Sequence, residues 1–388
     1  MDASRPALAA ALALSLAACA SAPRSADSGM ASEEGRFGPT RTSIHRGSDD
    51  LLTAGLGLDG LRAMVPPAFA DAAAPTPGEL RRRAIWSNWR GIADLSPGGG
   101  FGTVYGSTRA VPGREFSALA WLPGARQPHR VLVQVPDAFD AERRCVVVAP
   151  ASGSRGVYGA IAVAGAWGLP KGCAVAYTDK GAGTDYFDLD AGLGVRADGT
   201  IGTPDDGLAF VPEASADATG IAVKHAHSLD NPEAAWGAHV RQAALHGLRV
   251  LSEAFPEAAP FTAADTRVIA VGISNGGGAV LRAAETADTL FDAVVAGEPN
   301  VHVDGHGGRS LYDYATEAAL LMPCARLDLS DAPTSVFDTR SATIARSSKS
   351  SCCDPTIWYV SWPLPANSTT SPARARTAPL RVTRTSCP

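Results

Sequence analysis

The stretch TRVIAVGISNGGGAVLRAA, residues 266–284, decides how the rest of the chain is interpreted. Its first half is an apolar, β-branched run of the kind found in a buried parallel strand, and residues 279–284 fit a helix. Between them, Gly272-Ile-Ser-Asn-Gly276 fits the Gly-x-Ser-x-Gly nucleophile elbow, whose tight turn needs neighbours without bulk. We therefore predict that Ser274 is a nucleophile; the alternative is a glycine turn with an idle serine.

Strand and helix patterns alternate on both sides of the elbow. Strands are predicted at 131–135, 145–149, 173–177 and 291–301, and helices at 157–167 and 232–255. This alternation predicts an α/β fold with a mostly parallel sheet and helices on both faces. Residues 185–230 are poor in apolar periodicity, and we expect them to form an inserted cap.

Four strings carry a resemblance to a known family. They are ASGSRGVYGA at 151–160, GCAVAYTDKG at 172–181, GISNGG at 272–277 and GEPNV at 297–301. Together they resemble the bacterial D-(-)-3-hydroxybutyrate oligomer hydrolases, a family within the α/β-hydrolase superfamily, over about residues 40–325. The resemblance implies serine-dependent hydrolysis of short hydroxybutyrate oligoesters to monomer, with Ser274 as the nucleophile. It implies a small-molecule partner and no cofactor.

Ester hydrolysis through an acyl-enzyme needs backbone donors aimed at the developing oxyanion. Asn275, directly after the nucleophile, is expected to supply one N–H, and the turn containing Gly153 and Ser154 the second; a plain strand–helix connection is the alternative for that turn. Arg155 is a candidate for binding the terminal carboxylate of an oligomer, with a surface or structural salt bridge as the alternative.

The general base is harder to place. In this superfamily the order along the chain is Ser, then Asp or Glu, then His, and no histidine follows residue 306. His302 and His306 are therefore the base candidates, although they follow the serine closely; ordinary loop histidines are the alternative. His225 and His227, upstream in the insertion, are weaker candidates.

The last eighty residues differ in composition from the rest of the chain. No glycine follows Gly308, and roughly a third of the residues after 334 are Ser or Thr. We expect that the reading frame is lost between about 325 and 345, so that 326–388 is an aberrant tail and part of the sheet is missing. A natural disordered tail is the alternative. On this interpretation the catalytic domain spans residues 81–325.

The N-terminus predicts export. Residues 1–19 contain a short apolar run ending in Leu-Ala-Ala-Cys, which resembles the lipobox of bacterial lipoproteins, with Cys19 as the lipidated residue. Ordinary cleavage and secretion, or a chance match, are the alternatives. Residues 20–80 are predicted to be a tether and an irregular segment. We expect an extracytoplasmic protein whose only membrane contact is the lipid anchor.

Composition narrows the remaining possibilities. A chain of 388 residues with 45% hydrophobic content can bury one α/β core, and a net charge of −5 without a basic run argues against nucleic acid. The cysteines beyond Cys19 have no zinc-ligand spacing, and their pairing stays open. The aspartates of the insertion are expected to be a solvated acidic loop, with calcium binding as the alternative.

Two other functions remain open. One is an esterase of the tannase or feruloyl type, which phenolic esters would reveal. The other is a catalytically inactive lipoprotein, which the missing late histidine favours.

Overall fold

The computed structural model describes residues 35–153, 155–181, 185–224, 230–286, 289–301, 309 and 311–326. The chain divides into two compact units, Met1–Val301 and His302–Pro388. The first contains the sheets and the elbow. The second contains the helix Leu311–Arg326.

The strands of the first unit form two sheets. In chain order they are β1 (Arg36–Phe37), β2 (Arg41–His45), β3 (Gly113–Trp121), β4 (His129–Pro136), β5 (Cys145–Pro150), β6 (Ala174–Thr178), β7 (Tyr186–Asp188), β8 (Leu193–Val195), β9 (Ile201–Gly202), β10 (Ile221–Val223), β11 (Arg267–Ile273) and β12 (Ala293–Gly297). The main sheet has the order β1-β3-β4-β6-β5-β11-β12, with β2 also paired to β3, and the small sheet has the order β10-β7-β8-β9.

The part of the main sheet that carries the elbow is parallel. β6, β5, β11 and β12 pair parallel to one another, whereas β1 to β4 add antiparallel strands on one side. The strands predicted at 131–135, 145–149, 173–177, 266–274 and 291–301 correspond to β4, β5, β6, β11 and β12. The predicted α/β architecture with a parallel core is therefore confirmed.

Helices and helical turns cover both faces of this sheet. They are α1 (Gly57–Arg62), α2 (Pro77–Trp89), a π-helical turn (Ile161–Gly165) continued by α3 (Ala166–Gly168) and a 3-10 turn (Leu169–Lys171), α4 (Trp236–Ala254) and α5 (Asn275–Glu285). The helix predicted at 232–255 is α4. The one predicted at 157–167 differs: residues 157–160 form a turn before the π-helical segment.

Alternate side chains of the central strand β5 enter two separate cores. Val146 and Val148 pack with the buried faces of α4 and α5. Val147 and Ala149 pack with α2, the π-helical segment and residues before α1. Because both faces are covered, β5 has no polar face, which is why its sequence is continuously apolar.

Residues 35–80 are more ordered than the sequence predicted. Instead of only a tether and an irregular segment, they contain β1, β2, α1 and the start of α2. Leu51, Leu52 and Leu61 are fully buried in the second core. Burying one such side chain contributes about 1.5–3 kcal/mol, so this segment is part of the folded unit.

The insertion contains the small antiparallel sheet. Phe187, Leu208 and Phe210 form its own apolar cluster. Asp185 accepts a hydrogen bond from Arg130, and Asp198 accepts one from Arg41. These contacts attach the insertion to the antiparallel side of the main sheet.

Candidate active site

Ser274 occupies a strained turn between β11 and α5. Its backbone angles are φ 56° and ψ −126°, an unusual conformation for a residue with a side chain. Its N–H donates to the carbonyl of Gly297 over 2.9 Å, and Ser274 is exposed. The predicted elbow is therefore present as a strand–turn–helix with the serine at its apex.

The glycines around Ser274 are explained by contacts between backbone segments. A Cβ on Gly272 would lie 2.1 Å from the carbonyl oxygen of Gly276, so no side chain fits. A Cβ on Gly277 would lie 2.9 Å from the Gly297 oxygen, and one on Gly278 2.7 Å from the Asn300 oxygen. The run GISNGGG thus lets α5 begin in direct contact with the end of β12.

Two of the predicted oxyanion donors, Asn275 and Gly153, lie on neighbouring backbone segments. Asn275 is the first residue of α5, and its side-chain oxygen accepts a hydrogen bond from Asn300 over 3.2 Å. A Cβ on Gly276 would lie 3.0 Å from the Pro150 oxygen, so the segment leading to Gly153 passes against the elbow. Gly153 has φ +62°, and Ser154 lies outside the described residues.

The segment after β12 is a part of this site that no sequence pattern predicted. Glu298, at its start, has φ 45°, a second non-glycine residue in the left-handed region beside the elbow. The N–H of Asn300 donates to the carbonyl of Ser274 over 3.3 Å. The string GEPNV was visible as a family resemblance, but nothing in the string itself shows that it borders the nucleophile.

Arg155 donates hydrogen bonds to the C-terminal end of α2. Its Nη2 donates to the carbonyls of Ser87, Asn88 and Arg90, over 3.2, 3.1 and 2.5 Å, at the C-terminal end of α2. Its Nε donates to the Asn88 side chain over 3.3 Å. The guanidinium therefore caps the C-terminal end of α2. The contact between Arg155 and a substrate carboxylate stays a prediction.

The base candidates His302 and His306 lie outside the described residues, as do His225 and His227. Among the described residues, no side chain forms a hydrogen bond with Ser274 Oγ. The described histidines make their contacts elsewhere, His45 with Asp49 and His246 with Phe37. His129 and His239 pack against each other with ring centroids 4.2 Å apart.

Burial keeps three of these histidines neutral. Desolvation lowers the pKa of His239 to about 3 and that of His246 to about 3. The pKa of His129 is also well below its ordinary value, mainly because the ring is buried. These imidazoles are neutral packing groups at neutral pH.

A buried ionic network lies in the antiparallel part of the sheet, and no local sequence pattern predicts it. It consists of His45, Asp49, Arg81, Glu115 and Tyr158, and we call it the Glu115 network. Arg81 donates to both carboxylate oxygens of Glu115, over 2.8 and 3.0 Å, and to Asp49 over 3.0 Å. The hydroxyl of Tyr158 donates to Glu115 over 2.8 Å.

Charge within the Glu115 network sets the pKa of its members. Burial alone raises the pKa of Glu115, but Arg81 and the hydrogen bond from His45 outweigh it and hold the pKa well below its usual range. For His45, burial lowers the pKa, and the hydrogen bonds to Asp49 and Glu115 outweigh that effect and raise it. The network therefore depends on two ionised partners, Arg81 and Glu115.

Within the described ranges, no cluster of three or more His, Cys, Asp or Glu side chains is arranged to hold a metal ion. The same part of the chain contains no helix with the length and apolar character needed to cross a membrane. Cys145 and Cys173, whose pairing the sequence left open, form a disulfide.

Comparison with known proteins gives consistent matches. Residues 15–356 match the family model for 3HB-oligomer hydrolase. A D-(-)-3-hydroxybutyrate oligomer hydrolase from Cupriavidus metallidurans is 43% identical over 76% of this chain and 47% of its own length. The enzyme of that name from Paraburkholderia xenovorans is 40% identical over 74% of this chain and 47% of its own.

The chain spans about half the length of these curated relatives. Among solved structures, a dienelactone hydrolase-like promiscuous phosphotriesterase from metagenomic libraries matches 57% of this chain and 92% of its own, at 16% identity. Its TM-score is 0.26.

Proposed function

Because this chain belongs to the 3HB-oligomer hydrolase family, we propose that it hydrolyses the ester bonds of D-(-)-3-hydroxybutyrate oligomers, with Ser274 as the nucleophile. The observation that carries the proposal is the conformation of Ser274, held at φ 56° and exposed above the parallel part of the sheet. Strained backbone in an exposed turn is typical of functional sites, where the surrounding structure holds it in place.

The topology supports an α/β-hydrolase assignment. The nucleophile of that fold sits between a strand and a helix at the carboxyl edge of the sheet, and the oxyanion hole combines the N–H after the nucleophile with one from an earlier strand–helix loop. Here β11 and α5 supply the first arrangement. β5 pairs directly with β11, and the loop that follows β5 supplies the second N–H of the oxyanion hole.

In the proposed reaction, Ser274 Oγ attacks the ester carbonyl and forms an acyl-enzyme as the alcohol end of the substrate leaves. The N–H groups of Asn275 and of the Gly153–Ser154 turn stabilise the developing oxyanion. Water then hydrolyses the acyl-enzyme. His302 and His306, which follow β12 in the sequence, are the proposed candidates for the base that moves the protons.

Export is also part of the proposal. Disulfides persist in extracytoplasmic compartments, and the Cys145–Cys173 pair supports a location there. Cys19 is the proposed site of lipid attachment, which places the enzyme at a membrane surface outside the cytoplasm.

The test is hydrolysis of the 3-hydroxybutyrate trimer by the purified chain beside Ser274→Ala, with Ser96→Ala as a control at an exposed serine in a turn away from the elbow. Removing the nucleophile is expected to lower the rate by at least about 1000-fold, while the control keeps the parent rate. Phenolic esters hydrolysed in preference to the trimer would instead favour a tannase or feruloyl esterase.

Labelling with a fluorophosphonate distinguishes a wrong substrate assignment from an inactive site. If the parent chain is labelled at Ser274 but releases no monomer, the serine is activated and the substrate assignment is wrong. If a folded parent chain is neither labelled nor active, the site is catalytically inactive. Where activity is found, His302→Ala and His306→Ala identify the base by which of them abolishes it.

A further inference from the structure

A cavity of about 400 Å³ lies away from the serine turn, at the same edge of the main sheet. It is bounded by the loop between β3 and β4, by the segment after β6 and by the segment that leads into α4. Its charged and titratable lining residues are Lys180, Lys224, Asp230 and His239. The volume is within the range of about 300–1,000 Å³ that is typical of small-molecule sites.

Two ammonium groups reach this cavity from buried side chains. Lys180 is 4% exposed and Lys224 is 3% exposed. Lys180 pairs with Glu233 and lies 4.8 Å from the centroid of the Trp236 ring, and Lys224 donates to the carbonyl of Pro128. An ammonium carries three N–H donors, so each lysine retains donors beyond these contacts within the described part of the chain.

His239 lines the same cavity with a buried ring. It is 6% exposed, and its Nδ1 has no hydrogen-bond partner among the described residues. Leaving a buried polar atom unpaired costs about 1–3 kcal/mol, and a ligand in the cavity would satisfy it. Because burial lowers the pKa of His239 to about 3, the ring is neutral and offers this nitrogen without adding charge.

Two cations, Lys180 and Lys224, line the cavity with one carboxylate, Asp230. Glu233 pairs with Lys180 and leaves two of its N–H donors, and both oxygens of Asp230 already accept the backbone N–H groups of Arg126 and Gln127. Asp179, Asp185 and Asp230 favour the charged form of Lys224, against the burial that lowers its pKa.

We propose that this cavity binds the carboxylate of a short-chain hydroxy acid, the acid end of the oligoester. The identity of the acid rests on the proposed function; the anion site rests on the cavity and its lysines. β6 lies two strands from β11 in the sheet, so the ends of these strands are about 10 Å apart. A short oligoester spans that distance, with one ester at Ser274 and its free acid at the lysines.

Isothermal titration calorimetry on the full chain carrying Ser274→Ala tests this proposal with sodium 3-hydroxybutyrate and its methyl ester. The acid is expected to bind at least 10-fold more tightly than the neutral ester. Lys224→Met and Lys180→Met, added to the same chain, are each expected to weaken acid binding at least 10-fold. Lys171→Met removes an exposed lysine elsewhere and is expected to change nothing.

Equal binding of acid and ester overturns the proposal, as does unchanged acid binding in a folded Lys224→Met chain. If Lys224→Met fails to fold by circular dichroism, Lys180→Met and the comparison of acid with ester decide the outcome. Because binding is measured without the nucleophile, it does not depend on catalysis. If the parent chain binds the acid selectively but does not hydrolyse the trimer, the proposed function is wrong and the proposed anion site stands.

Discussion

The elbow and the Glu115 network are positioned by different means. At the elbow, backbone packs on backbone, and Gly272, Gly277 and Gly278 are the residues that allow it. In the Glu115 network, long charged side chains meet in the interior, with Arg81 and Glu115 each less than a tenth exposed. The elbow leaves its key residue exposed, whereas the network buries all its charges except part of Asp49.

Because of this difference, we expect the elbow to matter for catalysis and the Glu115 network to matter for stability. The elbow strains one backbone position and leaves Ser274 free to meet a substrate. The Glu115 network connects the segment before β3 to the sheet and keeps its central pair, Arg81 and Glu115, away from solvent. Changes at the elbow should therefore abolish chemistry, and changes in the network should mainly lower stability.

The largest effect is expected for Gly272→Ala. The new Cβ would lie 2.1 Å from a carbonyl oxygen of the helix that carries the turn, and no flexible side chain is there to move. We expect the free energy of unfolding to fall by more than about 4 kcal/mol, with loss of labelling at Ser274. Urea denaturation and fluorophosphonate labelling measure the two effects.

Gly78→Ala is the matched control for Gly272→Ala. A Cβ there meets nothing within 4 Å, and Gly78 lies in the first turn of α2. Alanine in a helix is more favourable than glycine, by at most about 1 kcal/mol, so a small gain or no change is expected. Equal destabilisation by the two substitutions would show that the elbow does not depend on close backbone contact.

The sequence revealed the elbow because a glycine run between a strand and a helix is a local signal. It did not reveal the Glu115 network, because Arg81 and Glu115 are 34 residues apart and are joined only by the fold. The same reason explains Arg155: its charge is visible in the sequence, but the helix end that it caps is 65 residues upstream. Strand positions followed from local apolar runs, whereas the order of the strands in the sheet and the partners of buried charges did not.

The second largest effect is expected for Glu115→Gln, which leaves the buried guanidinium of Arg81 without its main counterion. Removing one partner of a buried pair is strongly destabilising, and we expect a loss of about 3 kcal/mol in the free energy of unfolding. The rate of Ser274 labelling in the folded protein should change little. A double-mutant cycle with Arg81→Met is expected to show less than additive loss, and strict additivity would mean that the two charges are not coupled.

A smaller effect is expected from pH. The raised pKa of His45 means that its contribution to stability is complete below its unfolded pKa and is lost as pH rises through the folded pKa. The lowered pKa of Glu115 has the opposite sign, so its contribution is lost as pH falls below the unfolded value near 4.3. The free energy of unfolding should decline on both sides of a maximum, and His45→Gln should remove the decline on the alkaline side. An unchanged alkaline decline in that variant would assign it to another group.

The smallest effect is expected for Arg155→Lys, which decides between a structural and a substrate-binding arginine. A lysine keeps the charge near the end of α2 but has no counterpart of the Arg155 Nε, and it lacks the planar fork that contacts the Asn88 side chain and the three carbonyls together. We expect the free energy of unfolding to fall by about 1 kcal/mol, while the ratio of kcat/KM for the trimer to that for its methyl ester stays at the parent value.

Arg46→Lys, at an exposed pair with Asp137, is the control for a general effect of exchanging arginine for lysine. A selective rise in KM for the acid, with stability unchanged, would instead place Arg155 in contact with the substrate and return the predicted carboxylate role to it.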